Sequence, residues 1–180
     1  MNDRELFKAY KEQVYRLCYY MLQNRGDAED VCQEVFVKAI LADRSQIREL
    51  RPWLLRIASN ECNSLLKRRR NGWVKETLAY LLSRPEISNS VEENYDARET
   101  RAAFHGLLSS LPDKIRIVVI LRYANELTIP EISKVIQIPE GTIKSRLNRG
   151  MELLRKKLGP IEKQKKKGED LEWSNSVNMK

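Results

Sequence analysis

Histidine occurs once in this chain, at His105, and cysteine three times, at Cys18, Cys32 and Cys62, with no C-x-x-C pair. That scarcity argues against a structural zinc site and against a disulfide framework, and it predicts three buried free thiols in a reducing compartment. There is no acidic metal cluster on a plausible strand scaffold and no histidine-based acid/base pair, so a recombinase or nuclease reading finds no support and no catalytic residue is expected. No G-x-x-x-x-G-K-[ST] loop is present, so neither ATP nor any other cofactor is called for. The first residues are polar and charged rather than a signal peptide, and no apolar run approaches the ~18 residues of a membrane span. Together these predict a cytoplasmic protein with no direct membrane insertion. Glycine (7) and proline (6) are sparse, and 42% of the residues are hydrophobic with long helical periods. The expected fold class is therefore all-α.

What the chain has in excess is positive charge: 33 Lys and Arg against 25 Asp and Glu, a formal net charge of +8 and a pI near 9.4. The excess is uneven. Residues 1–75 and 102–180 are both net basic, whereas 76–101 carry twice as many acidic as basic groups. Two basic blocks flanking an acidic connector suit two modules on one nucleic acid. The boundaries read as a helical domain at 1–71, a linker at 72–100, a second helical domain at 101–158 and a basic disordered tail at 159–180.

Along the chain, Leu6, Phe7, Tyr10, Val14, Leu17, Cys18 and Met21 predict a first helix, with Gly26 as its stop. Asp27 is placed as the cap of a second helix, Ala28 to Ala42, whose core arc is Ala28, Val31, Cys32, Val35, Phe36 and Ala39. Its other face carries Asp27, Asp30, Gln33, Glu34 and Lys38 with Val37 among them, and an apolar residue within a charged face is a weak sign of a protein partner. Pro52 opens a third helix, with Leu54, Ile57, Ala58, Cys62 and Leu65 inward and Gly72 breaking it. Trp53, Arg56, Asn60, Asn63 and Lys67 share the opposite face, which ends in the run Lys67-Arg68-Arg69-Arg70. An aromatic, amides and cations on one face suit single-stranded DNA: bases stack, amides meet base edges and cations track phosphates. The competing readings are a packed core aromatic for Trp53 and helix-dipole compensation for the basic run. Glu61 falls toward the apolar arc without an evident partner.

In the second domain, helical periodicity runs from Glu99 through Leu108, and Leu111-Pro112-Asp113 opens a helix whose apolar run forms the buried centre. Thr128 with Glu131 forms a capping-box pattern before a short helix, Ile129 to Ile136. Pro139 disfavours helix at Ile138. A second helix follows from Glu140 to Leu158, making a helix-turn-helix unit. Its stripe of Ile143, Leu147, Gly150, Met151, Leu154 and Leu158 faces inward. Lys144, Ser145, Asn148 and Arg149 face outward, donors suited to the edges of bases in a major groove.

These segments, in this order, resemble the small ECF (extracytoplasmic function) sigma factors of bacterial RNA polymerase from Leu6 to Leu158. DAEDVCQEVFVKA at 27–39 is similar to the family's polymerase-binding helix, PWLLRIASNECNSLLKRRR at 52–70 to its promoter-melting helix, and LPDKIRIVVILRY at 111–123 with GTIKSRLNRG at 141–150 to its second DNA-binding domain. The resemblance implies a non-enzymatic protein that binds core RNA polymerase, through the β′ clamp helices and the β flap, and promoter DNA at its −10 and −35 elements. It assigns Asp27, Asp30, Gln33, Glu34, Val37 and Lys38 to the polymerase, and Asn60 to an extruded base of the −10 strand. Trp53, Arg56, Asn63, Lys67, Arg68 and Arg69 would hold the melted strand and adjoining duplex. Lys144, Ser145, Asn148 and Arg149 would face the −35 groove, with Arg146 on phosphate. An anti-sigma factor, in many relatives membrane-anchored, is a further implied partner. The chain departs from the family in the loop ADRSQIREL at 42–50, which lacks an aromatic and a glycine often present there, and in Asn148, where some relatives carry an aromatic or histidine. A stand-alone helix-turn-helix repressor would account for 101–158 but leave 27–70 without a role.

Overall fold

The computed structural model describes the backbone of residues 2–80 and 105–176 and the side chains of 2–71 and 105–158. The fold is all-α, with no strand among the described residues. Helix α1 (Asp3–Leu22) begins in a capping box: Asn2 Oδ1 accepts from the Glu5 N–H at 2.8 Å while Glu5 accepts from the Asn2 N–H at 3.0 Å. It ends at Gln23, which takes the left-handed conformation (φ 56°) and donates its N–H to the Tyr19 carbonyl. Helix α2 (Arg25–Leu41) is capped by Asn24, whose side chain accepts from the Asp27 N–H at 3.0 Å. Gly26 therefore lies inside α2 rather than ending α1, and Asp27 is its third residue, not its cap. Asparagine and aspartate cap about equally well, so Asn24 takes the role by its place at the junction rather than by its residue type. The predicted core arc of α2 is buried at every position.

Helix α3 (Leu50–Tyr80) starts two residues before Pro52, which sits in the first turn where its missing N–H costs nothing. It runs through Gly72 without a break. One glycine costs about 1 kcal/mol against alanine, too little to stop a helix followed by strong formers such as Lys75, Glu76, Leu78 and Ala79. The remainder of the expected linker, and the start of the helix expected from Glu99, fall outside the described residues; 105–109 are helical.

Helix α4 (Asp113–Val119) passes directly into a π-helical turn, Ile120–Ala124. Ile117, Val118, Val119, Ile120 and Leu121 are consecutive and all buried. Helix α5 (Ile129–Ile136) carries the predicted capping box, the Thr128 N–H donating to Glu131 at 2.7 Å. Gln137, left-handed at φ 54°, makes the turn into α6 (Glu140–Ser176). The expected end at Leu158 is not seen. The backbone stays helical to Ser176 across the segment read as a disordered tail, which is rich in Lys and Glu, both good helix formers.

Helices α1, α2 and α3 form one three-helix cluster, and α4, the π-turn, α5 and α6 form the other. Gly150 is the closest contact in the second. A Cβ there would lie 2.9 Å from Val119 Cγ2 and 3.0 Å from Ile115 Cγ2, so the missing side chain lets α6 approach α4. The two clusters also touch, α1 against α4 and the π-turn and α3 against α5. The three thiols are buried and unpaired by disulfides. Burial pushes Cys32 up to about 12, and a hydrogen bond with Cys62, followed by burial, raises Cys18 further, so neither supplies a thiolate.

Candidate nucleic-acid interface

On α6, Ile143, Leu147 and Gly150 are buried against the cluster. That pins the helix rotation and turns Lys144, Ser145, Asn148 and Arg149 to solvent. Arg149 already has a partner, Glu152 Oε2 at 2.7 Å, and Lys156 shares that carboxylate at 3.0 Å. Lys156 and then Arg149 hold Glu152 below the usual carboxylate range. Any base or phosphate that takes Arg149 must compete with Glu152, a feature the sequence pattern did not reveal although the i, i+3 spacing carries the signal. Arg146 differs from the other four. It is half-buried and donates through Nη1 to the Lys114 carbonyl at 3.4 Å, folding back on α4.

On α3, Arg56, Asn60, Asn63 and Lys67 are exposed along one face. Trp53 begins that face half-buried, packed on the core and edging a shallow cleft beside Arg56, Arg48 and Pro52. One side of Trp53 is therefore core and the other is accessible. Arg68 and Arg69 are exposed at the basic end. Arg69, however, donates to Asp27 of α2 at 2.6 Å, and Arg70 lies 3.7 Å from Asp113. Asn60, Asn63 and Lys67 form one wall of a cleft of about 440 Å³, whose other wall includes Lys114, Ile136 and Arg146.

On α2, Asp30, Gln33, Glu34 and Val37 are exposed and Asp27 is half-buried in its bridge to Arg69. One Asp27 carboxylate oxygen, Oδ2, is buried without a hydrogen-bond partner among the described residues. Lys38 pairs with Glu34 at 2.9 Å and with Glu61 of α3 at 2.7 Å. Glu61, then Glu34, raise its pKa above the ordinary lysine value. Glu61 therefore has its account: it reaches out of the α2–α3 interface to a cation on the neighbouring helix. Ile40 and Leu41 extend the exposed apolar surface begun by Val37, with Leu41 80% exposed. Their i, i+3, i+4 spacing from Val37 is the signal for this strip in the sequence.

Sequence reasoning also missed Arg16, Arg51, Arg116 and Asn125. Arg116 is buried and donates to the carbonyls of Leu108, Ser109, Leu111 and, across the cluster boundary, Met21. Burial lowers its pKa, opposed by Asp113. A cation inside the apolar run IRIVVIL was the available signal.

The arrangement offers two outward faces of amides, hydroxyls and cations on rigid helices, one with an aromatic at its edge, and a third face of mixed charge with an apolar strip. No group of residues that could hold a metal ion is found among the described residues. Residues 6–72 match the family model for sigma-70 region 2, and residues 101–154 match that for sigma-70 region 4. The chain is 34% identical to the ECF RNA polymerase sigma factor SigW of Bacillus subtilis (strain 168), over 86% of this chain and 87% of that protein. It is 32% identical to the ECF RNA polymerase sigma factor SigE of Mycolicibacterium smegmatis, over 84% of this chain and 59% of that one. Among solved structures, the sigma factor RpoE in complex with the anti-sigma factor NepR from Bartonella quintana matches with a TM-score of 0.68 at 22% identity, covering 87% of this chain and 96% of that chain. This last likeness is one of fold.

Proposed function

This chain belongs to the ECF sigma factors of RNA polymerase, and on that premise we propose how its surfaces divide the work of transcription initiation. Sigma factors are transcription initiation factors that bind RNA polymerase, and the relatives match both halves of the chain, so a stand-alone repressor is not favoured. The exposed face of α2, from Asp27 through Lys38, docks on the β′ clamp helices, and Ile40 and Leu41 lengthen the apolar part of that contact. The C-terminal half takes the β flap. The outward face of α3 holds the melted −10 strand: Asn60 bonds an extruded base, Trp53 presents its open side to a neighbouring base, and Arg56, Asn63, Lys67, Arg68 and Arg69 follow the backbone. Lys144, Ser145, Asn148 and Arg149 read the −35 major groove, while Arg146 supports α6 from behind and meets phosphate at its margin.

The division follows from what each contact can supply. Phosphate contacts give affinity and salt dependence but no sequence choice. A bidentate contact from Arg149 to guanine supplies about 1–3 kcal/mol of discrimination. Extruding a base costs a few kcal/mol, and stacking returns ~1–3 kcal/mol per base, so opening is driven by the protein without ATP. The protein is not an enzyme, acts in the cytoplasm and is restrained by an anti-sigma factor.

The observation that carries this reading is the coexistence of the two polar helix faces, each fixed outward by a buried opposite face, in a chain similar to sigma factors over most of its length. Asn60→Ala tests it. Permanganate footprinting of holoenzyme on a responsive promoter should show lost −10 melting while closed-complex retention stays near wild type. Normal melting would remove Asn60 from the site.

A further inference from the structure

The outward face of α6 carries two cations that share one carboxylate. Glu152 Oε2 accepts from Arg149 Nη1 at 2.7 Å, and Glu152 Oε1 pairs with Lys156 Nζ at 3.0 Å. The spacings, i, i+3 and i, i+4, stack the three side chains on successive turns of one face. The backbone beneath them is fixed, because Ile143, Leu147 and Gly150 are buried and Gly150 lies close against Val119 and Ile115. Only the arginine side chain itself is left to move, and Glu152 restrains it at one nitrogen. Lys156, on the other oxygen, keeps the carboxylate from turning away. The Arg149 and Glu152 side chains are 56% and 48% exposed, so the pair adds little to stability. Its use lies in orientation.

A guanidinium carries five N–H donors in a planar fork. Guanine presents two acceptors in the major groove, O6 and N7, which suit two parallel donors from one edge of that fork. With Nη1 on Glu152, the Nε–Nη2 edge of Arg149 still offers such a pair, and neither nitrogen has a partner among the described residues. The contest between Glu152 and DNA is therefore confined to Nη1. A guanidinium already held in place also gives up less rotamer freedom on binding than a free one. The Glu152 charge itself stands near the DNA backbone, where it repels phosphates, so losing it cannot by electrostatics alone weaken binding to every sequence.

We propose that Glu152 is a positioning residue for −35 recognition: steadied by Lys156, it holds Arg149 with the Nε–Nη2 edge toward one guanine and so sets the specificity at that base pair. This rests on the reading of Arg149 as a −35 groove contact.

The test measures binding of holoenzyme, reconstituted from core polymerase and the full chain, to a responsive promoter and to duplexes in which each base pair of the −35 element is exchanged in turn. Arg149→Ala should abolish the discrimination at one G·C pair, which locates its contact. Glu152→Gln should reduce the discrimination at that same pair by about 3- to 10-fold, the range for one rotamer-rich side chain set free, and leave the other pairs as they were. In the Arg149→Ala background, Glu152→Gln should change the discrimination at no pair. An equal loss of affinity on every duplex would make Glu152 a structural residue and overturn the proposal. A general gain in affinity with discrimination intact would overturn it too, leaving Glu152 only a repulsive charge. Arg149→Ala that alters discrimination nowhere would instead refute the groove reading on which the proposal rests.

Discussion

Replacing Arg116 by methionine keeps an unbranched apolar stem and removes the guanidinium group, with its donors and its 3.4 Å ion pair to Asp113. Four carbonyls lose a partner: Leu108 at 3.0 Å, Met21 at 3.2 Å, Ser109 at 3.3 Å and Leu111 at 2.9 Å. Leu108 and Leu111 are each 1% exposed, so water has little access to that turn. Hydrogen bonds from a charged donor contribute about 1.5–3 kcal/mol each, and a buried acceptor left unpaired costs about 1–3 kcal/mol. These do not add, since two of the bonds are long and the desolvation cost of the guanidinium is recovered. What is left behind is neutral carbonyls rather than a buried charge, and we expect Arg116→Met to destabilise by about 2–4 kcal/mol. Urea unfolding followed by circular dichroism at neutral pH measures it, with an unchanged slope required for the comparison. A loss below ~1 kcal/mol would refute the role of Arg116 as the support of the 108–111 turn.

Gly150→Ala sets two effects against each other: alanine is favoured in a helix by about 1 kcal/mol, whereas overpacking costs about 1–3 kcal/mol. With Val119 and Ile115 methyls at 2.9 and 3.0 Å from the new Cβ, overpacking wins and stability should fall; a rise in thermal midpoint would contradict the close approach of α6 to α4. Glu131 is held below the usual carboxylate range, chiefly by the Thr128 hydroxyl and then by its N–H. Its contribution is therefore present above the unfolded carboxylate pKa and lost as pH falls through the lower folded value. Glu131→Gln should be less stable at pH 7 by under ~1 kcal/mol, the carboxylate being solvent-screened, and the gap should close in acid; a gap independent of pH would discount the capping box. Arg149→Ala should lower transcription from promoters that depend on their −35 sequence while core binding in a pull-down survives, and lost core binding would instead place Arg149 in the polymerase interface.

The features legible in sequence are those fixed within one helix. The buried arc of Ala28, Val31, Cys32, Val35, Phe36 and Ala39 follows from periodicity, and the Thr128–Glu131 box follows from a three-residue spacing. Junction chemistry was harder. Asn24 and Asp27 are both good caps, Gly26 is a plausible stop, and only the packing of α1 on α2 decides among them. Gly72 looked like a breaker because a lone glycine is a weaker signal than its reputation suggests. Arg16 and Arg51 at the cluster boundary were not legible at all, because a guanidinium aimed at a carbonyl some hundred residues away leaves the same local pattern as one in water. Arg16 and Arg51 are ordinary surface residues by spacing, and their partners, Ala124 and Asn125, offer only backbone oxygen. The outward faces of α3 and α6 were legible because their opposite faces are apolar, whereas the pairing of Arg69 with Asp27 and of Lys38 with Glu61 needed the third dimension.

The central claim is that this chain gives RNA polymerase its choice of promoter. Run-off transcription from genomic fragments, with purified core polymerase in the presence and absence of the full chain, tests it most directly. Discrete transcripts should appear only with the chain, and they should start downstream of a shared pair of elements at one spacing. Core polymerase that initiates identically with and without the chain on every fragment would contradict the account.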